Sequence, residues 1–180
     1  MNRKLPFIFL MLAILLCSAN AVQADSTIYY VFGLHTASFG GDLEPGTWVS
    51  IMPGPGIALN LGFNMSSILA LDVRAGRTFQ KEEISNSRVN CTWVEAGPIL
   101  YLLGPDKTRP FISAGVGTYK IDTTGIDLEG TGIFASVGVE ESVSESLSAK
   151  LYVQGSKWED TDLDLKVDAF NVGLIFNFTL

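Results

Sequence analysis

The sequence predicts an all-β fold: an eight-stranded antiparallel up-and-down transmembrane β-barrel. Three observations predict it. Apolar side chains alternate with small or polar ones at a period of two over most of the chain. Charges away from the ends of the periodic segments keep to the small face, and short connections alternate with long ones. The chain has 180 residues, 47% of them apolar and 17% charged, which suits one domain and excludes disorder. Its 12 basic and 19 acidic residues leave a net charge of −7, the wrong sign for nucleic acid.

Residues 1–24 read as a secretory signal. Arg3 and Lys4 form a basic start, residues 5–17 an apolar core, and Val22-Gln23-Ala24 a small-residue cleavage site. The core is shorter than the roughly 20 residues of a helical membrane span. Leu16 is too bulky for lipoprotein processing at Cys17. Cleavage after Ala24, with Ala21 as the alternative, leaves residues 25–180 as the barrel domain, 180 − 24 = 156 residues with a charge of 10 − 19 = −9. Cys91 is then alone, so no intramolecular disulfide forms.

The first strand, residues 28–39, is the noisiest, with Ile28, Tyr30, Phe32 and Leu34 on its apolar face. Residues 54–65 set Pro55, Ile57, Leu59, Leu61, Phe63 and Met65 against Gly54, Gly56, Ala58, Asn60, Gly62 and Asn64. In residues 69–78 the apolar face is Leu69, Leu71, Val73 and Ala75, and Asp72 and Arg74 lie opposite. Residues 92–102 set Val94, Ala96, Pro98, Leu100 and Leu102 against a face with Glu95 and Gly97. Residues 110–119 carry Ile112, Ala114 and Val116 on one face and Gly115 and Gly117 on the other. Residues 133–143 put Val137 and Val139 opposite Glu140; residues 147–158 put Leu151 and Val153 opposite Lys150. Residues 170–180 end the pattern with Phe170, Val172, Leu174, Phe176, Phe178 and Leu180 on the apolar face.

A soluble lipocalin-like barrel hides its large apolar face and wets the other; a membrane barrel does the reverse. Here the polar face is rich in glycine, which suits a crowded eight-strand interior rather than a wet surface. Asp72, Arg74, Glu95, Glu140 and Lys150 share that face and can pair inside. A one-residue slip would put Arg74 in lipid, at about 2–4 kcal/mol near the midplane. The charges therefore fix the register. Short turns at residues 65–67, 104–109 and 142–146 are expected in the periplasm with both termini. Connections at 39–53, 80–90, 122–131 and 157–168 are expected as extracellular loops, acidic overall.

Two stretches carry a family resemblance. Arg109-Pro-Phe-Ile-Ser-Ala-Gly-Val-Gly117 is similar to a Pro-aromatic-x-x-Ala-Gly-x-Gly strand, and the last nine residues resemble a C-terminal assembly signal, with Val172, Leu174, Phe176, Phe178 and Leu180 as its apolar positions. The whole mature chain resembles the small eight-stranded outer-membrane β-barrel proteins, the group of OmpA-like and OmpX-like barrels. Its terminal Leu180 departs from the usual Phe. The resemblance implies a bacterial outer-membrane location, and the outer-membrane assembly machinery as a partner during biogenesis. It identifies a fold, not a task.

Candidate chemistry divides into four groups. The five inner charges are candidates for a lumen ion-pair network, either a plug or the gate of a narrow pore. Arg77 and Lys120, outward near strand ends, are candidates for contact with lipopolysaccharide phosphates. His35, with Ser38 and Asp42 nearby, is the only feature suited to an outer-leaflet lipid enzyme, but it lacks the His-x-Ser spacing of the lipid A deacylases. Asp160, Asp162 and Asp164 could offer oxygens to Ca²⁺, although such a run is more simply a solvated strand extension. The expectation is a monomer without cofactor, metal or catalytic site. It serves envelope integrity or surface interaction through its loops, with a porin-like channel as the first alternative and the lipid enzyme as the second.

Overall fold

The computed structural model describes residues 28–44, 47–82, 87–103, 108–123, 127–160 and 166–179. The expected signal, residues 1–24, lies outside them, as do Asp162, Asp164 and Leu180. Eight strands follow in chain order: β1 (Ile28–Glu44), β2 (Thr47–Asn64), β3 (Leu69–Glu82), β4 (Arg88–Tyr101), β5 (Thr108–Asp122), β6 (Asp127–Ser144), β7 (Leu147–Asp160) and β8 (Lys166–Thr179). Each pairs antiparallel with its chain neighbours, and β8 pairs with β1 to close the barrel. No described helix is long and apolar enough to cross a membrane, which says nothing of a closed barrel of strands.

Register fixes the shape. Stepping across paired residues, Asn64 leads through Ala70, Ile99, Ser113, Ser136, Gln154, Asn171 and Ala37 back to Gly54, a shear of 64 − 54 = 10 residues. Ten residues of strand rise against eight strand spacings tilt the strands about 40° from the axis. That geometry leaves a lumen about as wide as the side chains that fill it.

The faces fall as the alternation predicts. Ile133 is 63% exposed and Leu59 57%, whereas Lys150 is 2% exposed and Glu95 1%. The largest inward rings fit because glycines stand beside them. A Cβ on Gly76 would clash with the Trp93 indole, and one on Gly97 would lie 2.8 Å from the Gly115 Cα, so β4 and β5 approach closely only without side chains there.

The strands are longer than the sequence suggests. The expected long connections shrink to residues 45–46, 83–87, 123–126 and 161–165, and the rest of each is barrel wall. This rim end lies opposite the end where β1 begins and β8 ends. From β3 to β8 the unbroken rows of outward apolar residues end at Ala75, Val94, Val116, Ile133, Val153 and Phe170, and among the described residues of these strands only Phe79 stands outward beyond them. Toward the rim they give way to Arg77, Thr92, Thr118, Thr131, Lys157 (after Gly155) and Asp168. Beyond that line an apolar cluster forms inside: Val89, Cys91, Ile121, Leu128 and Val167 are buried together, and Thr78, Gln80 and Asp160 are also buried at this end. The barrel holds its charged residues inside the apolar band and its larger buried apolar cluster inside the polar rim. Both halves follow from one rule, that each outer face matches its solvent.

At the other end the connection after β2 is tied locally. The Ser66 hydroxyl accepts the Ile68 and Leu69 N–H groups at 3.3 and 3.1 Å, and the Met65 and Ser66 N–H groups donate to the Leu69 carbonyl.

Candidate functional site

The lumen within the apolar band holds all five sequence-predicted charges, each buried. Starting from the end where β1 begins and β8 ends, Glu140 on β6 is the hub. Its carboxylate accepts hydrogen bonds from the Tyr101 hydroxyl at 2.5 Å, the Ser148 hydroxyl at 2.5 Å and the Asn177 amide at 3.3 Å. Arg109 lies 3.2 Å and Lys150 3.7 Å from it. The Arg109 guanidinium also covers the Tyr101 ring, 4.0 Å from its centroid.

Lys150 is shared. Its ammonium reaches Glu140 and, at 3.9 Å, Asp72 on β3, with the Tyr101 and Phe111 rings at 5.8 and 5.9 Å. The Asn60 amide donates to Asp72 at 3.2 Å. One step further, Arg74 meets Glu95 at 3.4 Å, and its guanidinium packs over Phe134 and Tyr152 at 4.9 and 5.3 Å. Glu95 also accepts from the Tyr119 hydroxyl at 2.9 Å and the Gln154 amide at 2.7 Å. Above Glu95, Tyr119 stacks on Trp158 with centroids 5.7 Å apart, and the apolar cluster begins. Trp93 and Trp158, inward by strand parity, belong to that cluster.

The charges balance only when Arg109 is included. The five expected residues hold two cations against three carboxylates, and Arg109 makes it three against three. Its place was hidden because residues 104–109 read as a turn, whereas β5 begins at Thr108. The surplus negative charge in a buried set was the signal that a cation was missing. Such a set is stable because each charge has a partner and further hydrogen bonds; removing one partner strands the other.

The other expected residues lie apart from this network. Val172, Leu174, Phe176 and Phe178 line the outer face of β8, all exposed. Arg77 is exposed at the band edge beside Phe79. Lys120 is exposed and pairs with Asp122 at 3.2 Å. His35 stands opposite Gly56 and Gly173, Ser38 opposite Phe170, and Asp42 opposite Trp48 and Lys166. Asp160 accepts the Glu129 N–H at 2.8 Å, and no group among the described residues could hold a metal ion.

A closed eight-strand barrel with an apolar band and a polar, charge-paired lumen is the form of an outer-membrane protein. The family model of the outer membrane protein beta-barrel domain matches residues 8–178. The chain belongs to that family. As an outer-membrane β-barrel it is a protein of the bacterial outer membrane. No curated protein matches the sequence. Among solved structures, Neisserial surface protein A is similar at a TM-score of 0.61 and 14% identity, over 82% of this chain and 95% of that one. OprG from Pseudomonas aeruginosa is similar at 0.59 and 11%, over 87% and 96%. Ail, the attachment invasion locus protein of Yersinia pestis, is similar at 0.51 and 16%, over 85% and 99%. At these identities the likeness is one of fold.

Proposed function

We propose that this outer-membrane β-barrel is non-enzymatic and acts through its exterior, in envelope integrity or surface interaction, with its rim extracellular and both termini periplasmic. One observation carries the reading: two buried cations and the half-buried Arg109 neutralise three buried carboxylates across the lumen, and stacked aromatic and apolar side chains fill it above them. Charges so engaged hold the wall together and leave little to bind or move a solute. The names of two structural relatives, a surface protein and an attachment invasion locus protein, support an outward role. The barrel acts as a monomer, inserted by the outer-membrane assembly machinery.

The test is a deletion strain scored for sensitivity to detergents and large antibiotics. Restoration by the intact gene and equally by Glu95→Gln, but not by variants with residues 83–86 and 161–165 replaced by glycine and serine, is the expected result. Restoration that depends on Glu95 and not on the rim would overturn the proposal. So would a lipid A mass profile altered by His35→Ala, which would revive the enzyme.

A narrow channel is the second reading, favoured by one feature. Gln154 Oε1, Trp158 Nε1 and Asn171 Oδ1 are buried on the β7–β8 wall without a hydrogen-bond partner. Buried polar atoms of this kind are ordinarily satisfied by water. A water file along this wall would be the route of any leak.

A further inference from the structure

The outer wall of β3 and β4 at the rim end carries cations that find no counter-ion among the described residues. Arg77, Phe79 and Lys81 point outward in alternation on β3, and Arg88, Asn90 and Thr92 do so on β4. Lys81 stands directly opposite Arg88, and Arg77 opposite Thr92. Like charges directly opposed on one face of an antiparallel pair repel each other. Other cations just beyond the band have an acid at hand. Lys120 pairs with Asp122 at 3.2 Å and Lys157 with Asp168 at 3.2 Å, while Lys166 stands opposite Glu159. Among the described residues no carboxylate pairs with Arg77, Lys81 or Arg88. Asp122, opposite Asn90, is the acid nearest in register, and Lys120 holds it.

The depth of the patch matters as much as its charge. Arg77 is the first outward residue beyond Ala75, where lipid chains end and headgroups begin. Phe79, 45% exposed, sits between Arg77 and Lys81, with the Arg77 guanidinium 5.8 Å from its ring centroid. Arg77 and Lys81 are about 13 Å apart along the strand, and Lys81 and Arg88 about 5 Å apart across it. Three cations over that span, one a forked guanidinium at the band edge, match a headgroup with more than one phosphate. A soluble anion would not explain the exposed aromatic ring among them.

We propose that Arg77, Lys81 and Arg88 form a binding site for a phosphorylated lipid headgroup in the leaflet at the rim end, with Phe79 against the upper part of its acyl chains. With the rim outward, that lipid is lipopolysaccharide. The expected pair Arg77 and Lys120 is thereby redrawn: Lys120 flanks the site across Thr92 while engaged with Asp122. The site rests on the apolar band lying in the bilayer and not on which end faces outward.

The test uses the mature chain refolded in phosphatidylcholine nanodiscs doped with bisphosphorylated lipid A, or with the same lipid stripped of phosphate. Lipid retained per barrel is counted by native mass spectrometry. Folding is confirmed first by the heat-dependent gel shift, so failure of the barrel reading itself is seen separately. The intact chain should retain the phosphorylated lipid over the stripped one by about tenfold, the scale of one charge-assisted contact set. Lys81→Gln with Arg88→Gln, and Arg77→Gln alone, should abolish or reduce that preference, while Lys157→Gln on another wall should keep it. Equal retention of the two lipids, or an equal loss in Lys157→Gln, would overturn the site. Full displacement by a soluble sulfated oligosaccharide, independent of the acyl chains, would overturn its assignment to a lipid.

Discussion

Removing Lys150 should be among the most damaging single changes in the lumen, because it takes a shared cation from both Glu140 and Asp72. We predict that Lys150→Met costs about 3–5 kcal/mol in the urea unfolding of the refolded barrel. Neutralising Asp72 as well should recover part of that loss, which a double-mutant cycle measures. A single change without measurable effect would show that the ion pairs do not hold the wall. At this scale the sequence was informative about which residues face inward and silent about whom they meet. Period-two parity placed Asp72, Arg74, Glu95, Glu140 and Lys150 together, but pairing depends on the shear, which no local pattern encodes. Arg109 was missed because residues 104–109 read as a turn, and the Tyr101, Phe111, Phe134 and Tyr152 rings, inward by the same parity, could not be matched to the cations they flank.

Individual strands were legible in their middles and not at their rim ends. β5 illustrates the difference. Ile112, Ala114 and Val116 face out against Ser113, Gly115 and Gly117, and the alternation then continues with its sense reversed, as Thr118 and Lys120 face out against Tyr119 and Ile121. Read without the third dimension, a reversal of phase looks like a loop. The packing it creates should be measurable. Ile121→Asn, inside the rim, should destabilise the barrel by about 2 kcal/mol or more by burying a polar group in an apolar cluster, whereas Thr118→Asn outside should be nearly neutral in the same unfolding assay. Where β4 meets β5, Gly115→Val should cost about 1–3 kcal/mol or block refolding, since its side chain would press on Gly97 and Phe134. On β8 a different readout applies. Phe178→Ser should lower the yield of assembled barrel in cells while refolding in detergent stays close to normal, as expected if the outward apolar row is read during insertion. Equal loss in both settings would make that row purely structural.

For the whole molecule, neutrality is the organising feature. The mature chain is expected to carry −9, yet the band-level lumen is balanced at three charges of each sign, so the surplus acid lies at the ends and outside. The fold class and its membrane setting were readable because a bilayer constrains every outward side chain at once. The task was not readable in the same way, because eight-stranded barrels share this scaffold and differ at the rim, where few side chains are dictated by packing. The central claim, that the lumen is closed by its own ion pairs and aromatic cap, is tested most directly by single-channel recording of the refolded barrel in a planar bilayer. The intact protein, with folding confirmed by the heat-dependent gel shift, should be silent, and Arg74→Ala with Glu95→Ala should open discrete steps. Steps of steady size from the intact barrel, changed by Glu95→Gln, would contradict the account and make the inner charges the gate of a pore.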